Sequence, residues 1–450
     1  MALSVHPDAV AHFNKKGEDI LGMLSVANRP RRERSFPSER FVDRTFNAND
    51  FIGETKHVES DFKGDEVSRY FEHDGKLVGL SGTNYVTFED ICRAIHKSQS
   101  LREVISLRAV KDQVFEWVKS RYKAQSNQAL LEFTLAHLES LIKDIQIWVP
   151  LFQTEIESSF SVGRVLFWPI SKALFDKWAI ELLKSKPGNE ADQLKKFFDQ
   201  ERRQLQGIAA GTMNFKAEPD RASELAVVEV ERMLNLVRFF EPANFEPNIS
   251  SCCTILGKQH LQRTKLYRVE NDILVESIEA IVENGSPHWR IDNRLIAEMK
   301  QGGLDKLNTF LTSDKQSEFQ LLIVDTLQMY SRCGLAKTYS DKLVYLLVTL
   351  ESLLLRDPSE SIQQNVGERL AFALEKEPDR RKRVVRNFKD VYGMRSDFVH
   401  HGNNVEVAQV NTLKEFMMNS WLFLKLVIDN SNNFQTKSQM IDAIENIKFS

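Results

Sequence analysis

The segment VYGMRSDFVHHGNN, residues 391–404, carries an arginine at a position where the helical pattern calls for a hydrophobic residue. Spacings of three and four around Arg395 indicate the apolar stripe of a helix that faces a core. The stripe consists of Val384, Phe388, Val391, Arg395 and Phe398. A guanidinium is almost never buried unless it is paired, because it keeps its proton and its desolvation is costly. We therefore expect an anion beside Arg395, either a carboxylate of the protein or a phosphate of a ligand.

A second charge lies on the apolar stripe of an earlier helix and is a natural partner for Arg395. Glu351 shares its stripe with Val344, Leu347 and Leu354 at the same helical spacing. On one interpretation Glu351 and Arg395 form a buried ion pair that organises a helical bundle and binds no ligand.

Two histidines and a glycine end the same segment, and an ion pair leaves them unexplained. In a regular helix Arg395 and His400 point about 140° apart, because the helix has 3.6 residues per turn. For both side chains to reach one phosphate, the helix must distort or end, or the histidine must come from another subunit. Gly402 predicts the helix end, since glycine is favoured in the left-handed residue that terminates helices.

The composition limits the class of protein that holds these residues. With 450 residues, 42% of them hydrophobic, the chain is too long for one ordinary domain, and two or three domains are expected. The formal net charge of -3 excludes a protein that coats nucleic acid by uniform positive charge, so any such contact must be local. The four cysteines fit neither a zinc site nor a disulfide scaffold, and neither a signal peptide nor a membrane span is evident. We expect a cytoplasmic protein with no metal, no cofactor and no membrane partner.

Residues 1–312 predict mixed helices and strands and contain no recognisable catalytic motif. We assign residues 1–140 to one mixed accessory region and residues 141–312 to a second, strand-containing region. A hairpin is expected at Asp74-Gly75, which separates two segments rich in strand-forming residues. The basic stretch at Arg29–Arg40 is interpreted as a solvated loop.

Hydrophobic periodicity and residue type place the other elements of this part of the chain. Helices are expected at about 88–123, 127–144, 172–205 and 220–240, and strands at about 145–171, 208–218 and 251–272.

From Glu318 onward the pattern is helical throughout, and residues 318–450 are assigned to an all-α bundle. Five amphipathic helices with short connections favour an up-and-down arrangement. They are expected within residues 317–334, 340–358, 359–378, 379–402 and 404–432, with Ser340 or Asp341 capping the second. The fold class predicted for the whole chain is therefore multidomain α+β, a mixed α/β N-terminal region followed by a helical bundle.

The segment YGMRSDFVHHG resembles the R-x4-6-H signature of HEPN domains, and VTLESLLL about forty residues earlier makes it similar to the Apea-like HEPN group. The resemblance covers about residues 318–433. It implies a bundle of four or five helices that commonly pairs as a homodimer or larger oligomer. It also implies that active members cleave RNA without a metal.

The resemblance assigns roles to individual residues of this chain. Arg395 and His400 would be the catalytic pair, with Ser396 in the polar position after the arginine. Asp397 and Glu351 would be supporting polar groups. His401, rather than His400, directly precedes Gly402, and a histidine before a glycine is frequent in the family. His401 could therefore share or take the role of His400.

The chemistry of RNA cleavage suits these residue types. The 2′-hydroxyl of RNA can attack its own phosphate, so a protein need only move protons and stabilise charge on the phosphoryl oxygens. Histidine can act as acid or base near neutral pH, and the arginine fork fits two phosphate oxygens. DNA lacks that hydroxyl and should be spared. Four basic residues just before the motif are interpreted either as an RNA-binding patch or as a solvated helix start: Arg380, Arg381, Lys382 and Arg383.

The first functional hypothesis is a regulated endoribonuclease of the antiviral-defence, toxin–antitoxin or abortive-infection kind. Its N-terminal region would sense an activating ligand or protein and restrain the nuclease. The alternative is a catalytically inactive HEPN module that dimerises or binds nucleotide while the N-terminal region carries the function. A third hypothesis makes residues 1–310 an unrecognised enzyme.

Overall fold

A computed structural model describes residues 3–27, 57–60, 63, 65–184, 189–258, 263–270, 273–281 and 288–449. They form two compact units, Met1–Gln146 with Asn214–Leu225 and Ile147–Met213 with Ala226–Ser450. Both contain helices and strands, so the chain belongs to the α+β class, as predicted. The basic stretch at Arg29–Arg40 lies outside the described residues.

The first unit contains a four-stranded antiparallel sheet with helices packed around it. Its elements are α1 (Pro7–Gly22), β1 (Ser25–Val26), β2 (His57–Ser60), β3 (Glu66–His73), β4 (Lys76–Ser81), α2 (Gly82–His96), α3 (Gln99–Val104), α4 (Leu107–Tyr122) and α5 (Leu130–Leu141). The strand order is β1-β4-β3-β2. The predicted hairpin is confirmed: β3 and β4 are joined by Asp74 and Gly75, both with positive φ as a tight hairpin turn requires.

Helix α2 begins earlier than the sequence pattern predicts. The prediction begins this helix at about residue 88, but residues 82–87 already form the first turns of α2 because Tyr85, Phe88 and Ile91 share a buried helical face. The predicted helix over 88–123 is also broken twice. Ser106 caps α4, where its hydroxyl accepts a hydrogen bond from the amide of Ala109 at 3.1 Å.

A buried arginine connects a strand and a helix of the first unit. Arg69 on β3 is 2% exposed. Its guanidinium pairs with Glu66 at 2.7 Å and with Asp112 of α4 at 2.8 Å. Two carboxylates within the protein therefore neutralise this charge.

The second unit begins with a mixed sheet, whose order is β12-β5-β8-β7-β6 with β9 on β5. The elements are β5 (Lys143–Ile156), β6 (Phe160–Val162), β7 (Val165–Pro169), α6 (Lys172–Lys184), α7 (Asn189–Leu205), β8 (Ile208–Ala217), α8 (Pro219–Arg238), β9 (Thr254–Ile255), the hairpin of β10 (Arg263–Glu270) and β11 (Ile273–Ile281), and β12 (Trp289–Ile291). The boundary between the units falls within β5, β8 and α8. The predicted strands at 145–171, 208–218 and 251–272 are confirmed within the described residues.

The rest of the second unit is helical. Its helices are α9 (Asn293–Met299), α10 (Asp305–Leu311), α11 (Glu318–Leu335), α12 (Tyr339–Leu354), α13 (Ile362–Leu374), α14 (Pro378–His401), α15 (Val410–Asp429) and α16 (Lys437–Phe449). All five predicted helices are present as α11 to α15, and α16 is a further helix that the prediction omits. Helix α14 packs against α12, α13 and α15.

The cap of α12 differs from the prediction. Thr338, not Ser340 or Asp341, is the N-cap residue, and its hydroxyl accepts from the amide of Asp341 at 3.1 Å. Ser340 is buried, and its hydroxyl instead accepts from the amide of Val405 at 3.0 Å. Among the described residues, no helix combines the length and the apolar character needed to cross a membrane.

Candidate active site on helix α14

Helix α14 carries the predicted catalytic residues and is continuous from Pro378 to His401. Pro378 suits the first turn because its missing amide has no partner there. Gly402 ends the helix with φ 71°, and its amide donates to the carbonyl of Phe398 at 2.9 Å. The helix neither distorts nor ends between Arg395 and His400, so within one chain these side chains leave it about 140° apart.

The buried face of α14 departs from the predicted stripe at its C-terminal end. Val384, Phe388 and Val391 are buried as predicted. The next buried residue is Met394, whereas Arg395 is half-buried. A period of 3.6 residues allows a step of either three or four after Val391, and the packing selects the apolar side chain.

Glu351 lies half-buried on α12, near Arg395. Burial raises the pKa of Glu351, and the positive charge of Arg395 opposes this rise. In the part of the chain that the structure describes, no ion pair of 4.0 Å or less joins the two side chains. The buried ion pair that would organise the bundle without a ligand is therefore not formed. The carboxylate of Glu351 does not hold the guanidinium of Arg395.

The two histidines lie at the exposed end of α14, with ring centroids 6.5 Å apart. The solvent-facing arc from Arg395 to His400 spans about 140° and contains Ser396. The shorter arc from Arg395 to His401 spans about 120° and crosses the buried face at Met394. Arg395 thus shares an open surface with His400 rather than with His401. Asp397 is exposed on the far side of His400.

The four basic residues at the start of α14 point in different directions, because successive helical residues are about 100° apart. Arg380 is 3.9 Å from Glu375, and Arg383 is 2.7 Å from Glu415. Lys382 is 3.0 Å from Asp379. The guanidinium of Arg381 lies 4.1 Å from the centroid of the Phe372 ring. The structure does not bring the four residues together on one face.

A groove of about 560 Å³ lies between α14 and its neighbours and was missed by the sequence analysis. It is lined by Glu368, Phe372, Pro378, Arg381, Lys382, Val385, Arg386, Lys389 and Lys448. Five of these nine residues are basic and one is acidic. The spacing of Lys382, Arg386 and Lys389, four and then three residues apart, is the sequence signal that could have identified this face.

A second group of charged side chains lies inside the same unit and was also missed. Lys342 of α12 is fully buried, and its ammonium donates to three backbone carbonyls. The acceptors are Ala243 at 3.3 Å, Ile249 at 2.8 Å and Cys333 at 3.3 Å. Burial lowers the pKa of Lys342. The sequence signal is that Lys342 precedes the buried Leu346, Thr349 and Leu353 at helical spacing.

Arg238 and Glu241, at the end of α8, belong to this buried group. Arg238 is 1% exposed and Glu241 is 5% exposed. Burial raises the pKa of Glu241 to about 7, although the hydroxyl of Ser251 donates to its carboxylate and both buried cations oppose the shift. Among the described residues, no group of three or more histidine, cysteine, aspartate or glutamate side chains could hold a metal ion.

Comparison with known proteins gives no relative. No family model matches the chain, and neither a curated protein nor a solved structure shows significant similarity to it. The resemblance to HEPN domains therefore rests on the residues of the chain.

Proposed function

We propose that the C-terminal helices are a HEPN-type domain and that the chain is a metal-independent endoribonuclease. The observation that carries the proposal is the open arc of α14 from Arg395 to His400. It presents an arginine that Glu351 does not hold, a hydroxyl at Ser396, and an exposed histidine one residue before the last helical position.

In the proposed reaction the 2′-oxygen of a ribose attacks the adjacent phosphorus, and the bond from phosphorus to the 5′-oxygen breaks. His400 takes the proton from the 2′-hydroxyl, and a water gives a proton to the leaving 5′-oxygen, so that the protonated histidine then neutralises the hydroxide. The guanidinium of Arg395 holds the non-bridging oxygens and stabilises the charge that develops on them. The products are a 2′,3′-cyclic phosphate and a 5′-hydroxyl.

The arginine and the histidine that serve one phosphate come from two chains in the proposed arrangement. Arg395 and His400 of one continuous helix diverge by about 140°, so one chain presents them poorly to a single phosphate. A twofold axis can place two α14 helices at one cleft. Val399 lies on the arc between the two residues and is 48% exposed, which supplies apolar surface for such a contact.

The test is incubation of the purified chain with total RNA in the presence of a chelator. We expect RNA fragments that end in a 2′,3′-cyclic phosphate. We expect no cleavage of single-stranded DNA under the same conditions. Cleavage that requires added metal would contradict the mechanism. RNA that stays intact would favour the alternative in which the bundle only assembles or binds nucleotide.

A further inference from the structure

The groove beside α13, α14 and α16 contains cations that form no ion pair within the part of the chain that the structure describes. Lys448 pairs with Glu368, and Arg381 lies over Phe372. Arg386 and Lys389 are exposed, and among the described residues neither forms an ion pair. Among the described residues, the groove therefore offers two exposed positive charges without an ion-pair partner, beside Lys448, which is paired.

These two cations belong to a longer line of residues along α14. Steps of four and three residues keep side chains on one helical face. The line consists of Lys382, Arg386, Lys389, Gly393, Ser396 and His400. It stays within about 40° of the direction of His400 and extends about 27 Å at 1.5 Å per residue. The helix face that begins in the basic groove thus ends at the proposed catalytic histidine.

Gly393 lies in the middle of this line and leaves the helix surface open. It is exposed, and a Cβ atom added there would meet nothing within 4 Å. A chain-like ligand can therefore approach the helix backbone at this point. Acidic residues border the line, since Asp379 pairs with Lys382, Asp390 follows Lys389, and Asp397 follows Ser396.

We propose that the groove binds the phosphodiester backbone of a single RNA strand and directs that strand along α14 to His400. This inference rests on the proposed nuclease function and assigns the substrate a second contact, whose residues lie about 17 to 21 Å along the helix from His400 at 1.5 Å per residue. Arg386 and Lys389 contact phosphates, and Gly393 allows the strand to pass close to the helix. Contacts to phosphate carry no sequence information, so the groove contributes affinity rather than base specificity.

The test measures binding without cleavage in the full chain carrying His400→Ala. The ligand is a fluorescent single-stranded RNA of about twenty nucleotides, titrated at several salt concentrations. With Arg386→Gln and Lys389→Gln added, we expect affinity to fall at least tenfold at low salt. The slope of log affinity against log salt should fall by about 1.4, because each single-strand phosphate contact contributes about 0.7.

The matched control is the pair Lys300→Gln and Arg332→Gln, an exposed lysine between α9 and α10 and an exposed arginine of α11 in the same unit. It makes the same change in net charge and should change affinity less than twofold. Equal losses in the two pairs would overturn the groove as a specific contact. The proposal would also be overturned if ATP bound more tightly than RNA and the groove substitutions weakened ATP binding. The occupant of the groove would then be a nucleotide.

Cleavage provides an independent readout in chains that retain His400. The pair Arg386→Gln and Lys389→Gln should slow cleavage of long RNA but not of a dinucleotide, whose single phosphate cannot reach the groove. Equal slowing of both substrates would contradict the proposal. If the unsubstituted chain binds RNA through the groove but cleaves nothing, the nuclease function fails while the binding site stands. Thermal unfolding of each variant confirms that it is folded.

Discussion

Two sets of cations in the second unit show how the same residue types serve different purposes. Lys342 and Arg238 are buried, and three backbone carbonyls accept from the ammonium of Lys342. Arg238 has the Ser331 hydroxyl at 3.4 Å and Glu241 nearby, and among the described residues its Nε has no hydrogen-bond partner. Arg386 and Lys389 are exposed and lack such partners among the described residues. Removing a buried cation whose hydrogen bonds the protein supplies, such as Lys342, destabilises the fold, whereas an exposed charge without a protein partner beside a groove is available to a ligand. The comparison predicts opposite consequences of substitution in the two regions.

The largest effect is expected at the proposed catalytic residues. Arg395→Ala and His400→Ala should each lower RNA cleavage by about 10²- to 10⁴-fold, the usual contribution of a positioned proton-transfer group or charge stabiliser, and leave unfolding unchanged. His401→Ala should retain most activity, because the buried face separates His401 from Arg395. Cleavage rates and thermal unfolding of the three variants provide the check.

Mixing the two inactive variants tests whether the site is shared between chains. Heterodimers of Arg395→Ala and His400→Ala chains would contain one intact arginine and one intact histidine at the common cleft. The mixture should recover cleavage that neither variant has alone. A monomeric chain that is fully active would show that the composite site is wrong.

The next effect is on stability and concerns Lys342. Lys342→Ala should lower the free energy of unfolding by about 3 to 5 kcal/mol, because it opens a cavity and leaves three buried carbonyls without a donor. Lys342→Met refills the space and should lose less, about 1 to 3 kcal/mol. Denaturant unfolding measures both.

Substitution of the exposed Lys389 is the matched comparison for substitution of the buried Lys342. Lys389→Ala should change stability by no more than about 0.5 kcal/mol, as is usual for exposed positions. If Lys342→Ala were equally mild, the distinction between the buried and the exposed cations would not hold.

A smaller effect concerns the pH dependence that Glu241 contributes. Its folded pKa of about 7 lies above its ordinary value of 4.5, so the folded state binds more protons between these values. The stability from this group is fully present below about pH 4.5 and is lost as the pH rises to about 7. The difference in unfolding free energy between the unsubstituted chain and Glu241→Gln should therefore decrease by about 2 to 3 kcal/mol from pH 5 to pH 7.5. A constant difference would indicate that Glu241 stays ionised.

The smallest expected effect concerns the first unit, which we propose restrains the nuclease. Arg69→Ala leaves Glu66 and Asp112 without their shared cation and should destabilise that unit. If the unit restrains the site, RNA cleavage by the full chain should rise several-fold. The control is Arg108→Ala, which removes an exposed arginine of the same unit. Unchanged cleavage with a loosened first unit would argue against restraint.

Local signals predicted much of the helical part of this chain. Gly402 marked the C-terminal end of α14 because its backbone preference acts within one turn. Asp74 and Gly75 marked the hairpin for the same reason. Pro378 lies at the end of the range predicted for the preceding helix, but it begins α14. Local propensity failed at residues 82–87, where strand-forming residues join a helix because that helix buries Tyr85 and Phe88.

The sequence by itself determined which residues share α14 and how far apart they point, because helical geometry depends only on spacing. The tertiary structure decided which of them are open to solvent. Packing buried Met394 and left Arg395 half-buried, and it left Glu351 too far away to pair with that arginine. It also placed Lys342 among backbone carbonyls, and Phe372 and Lys448 beside the basic face of α14. These outcomes depend on contacts between segments far apart in the chain, and no local pattern encodes such contacts.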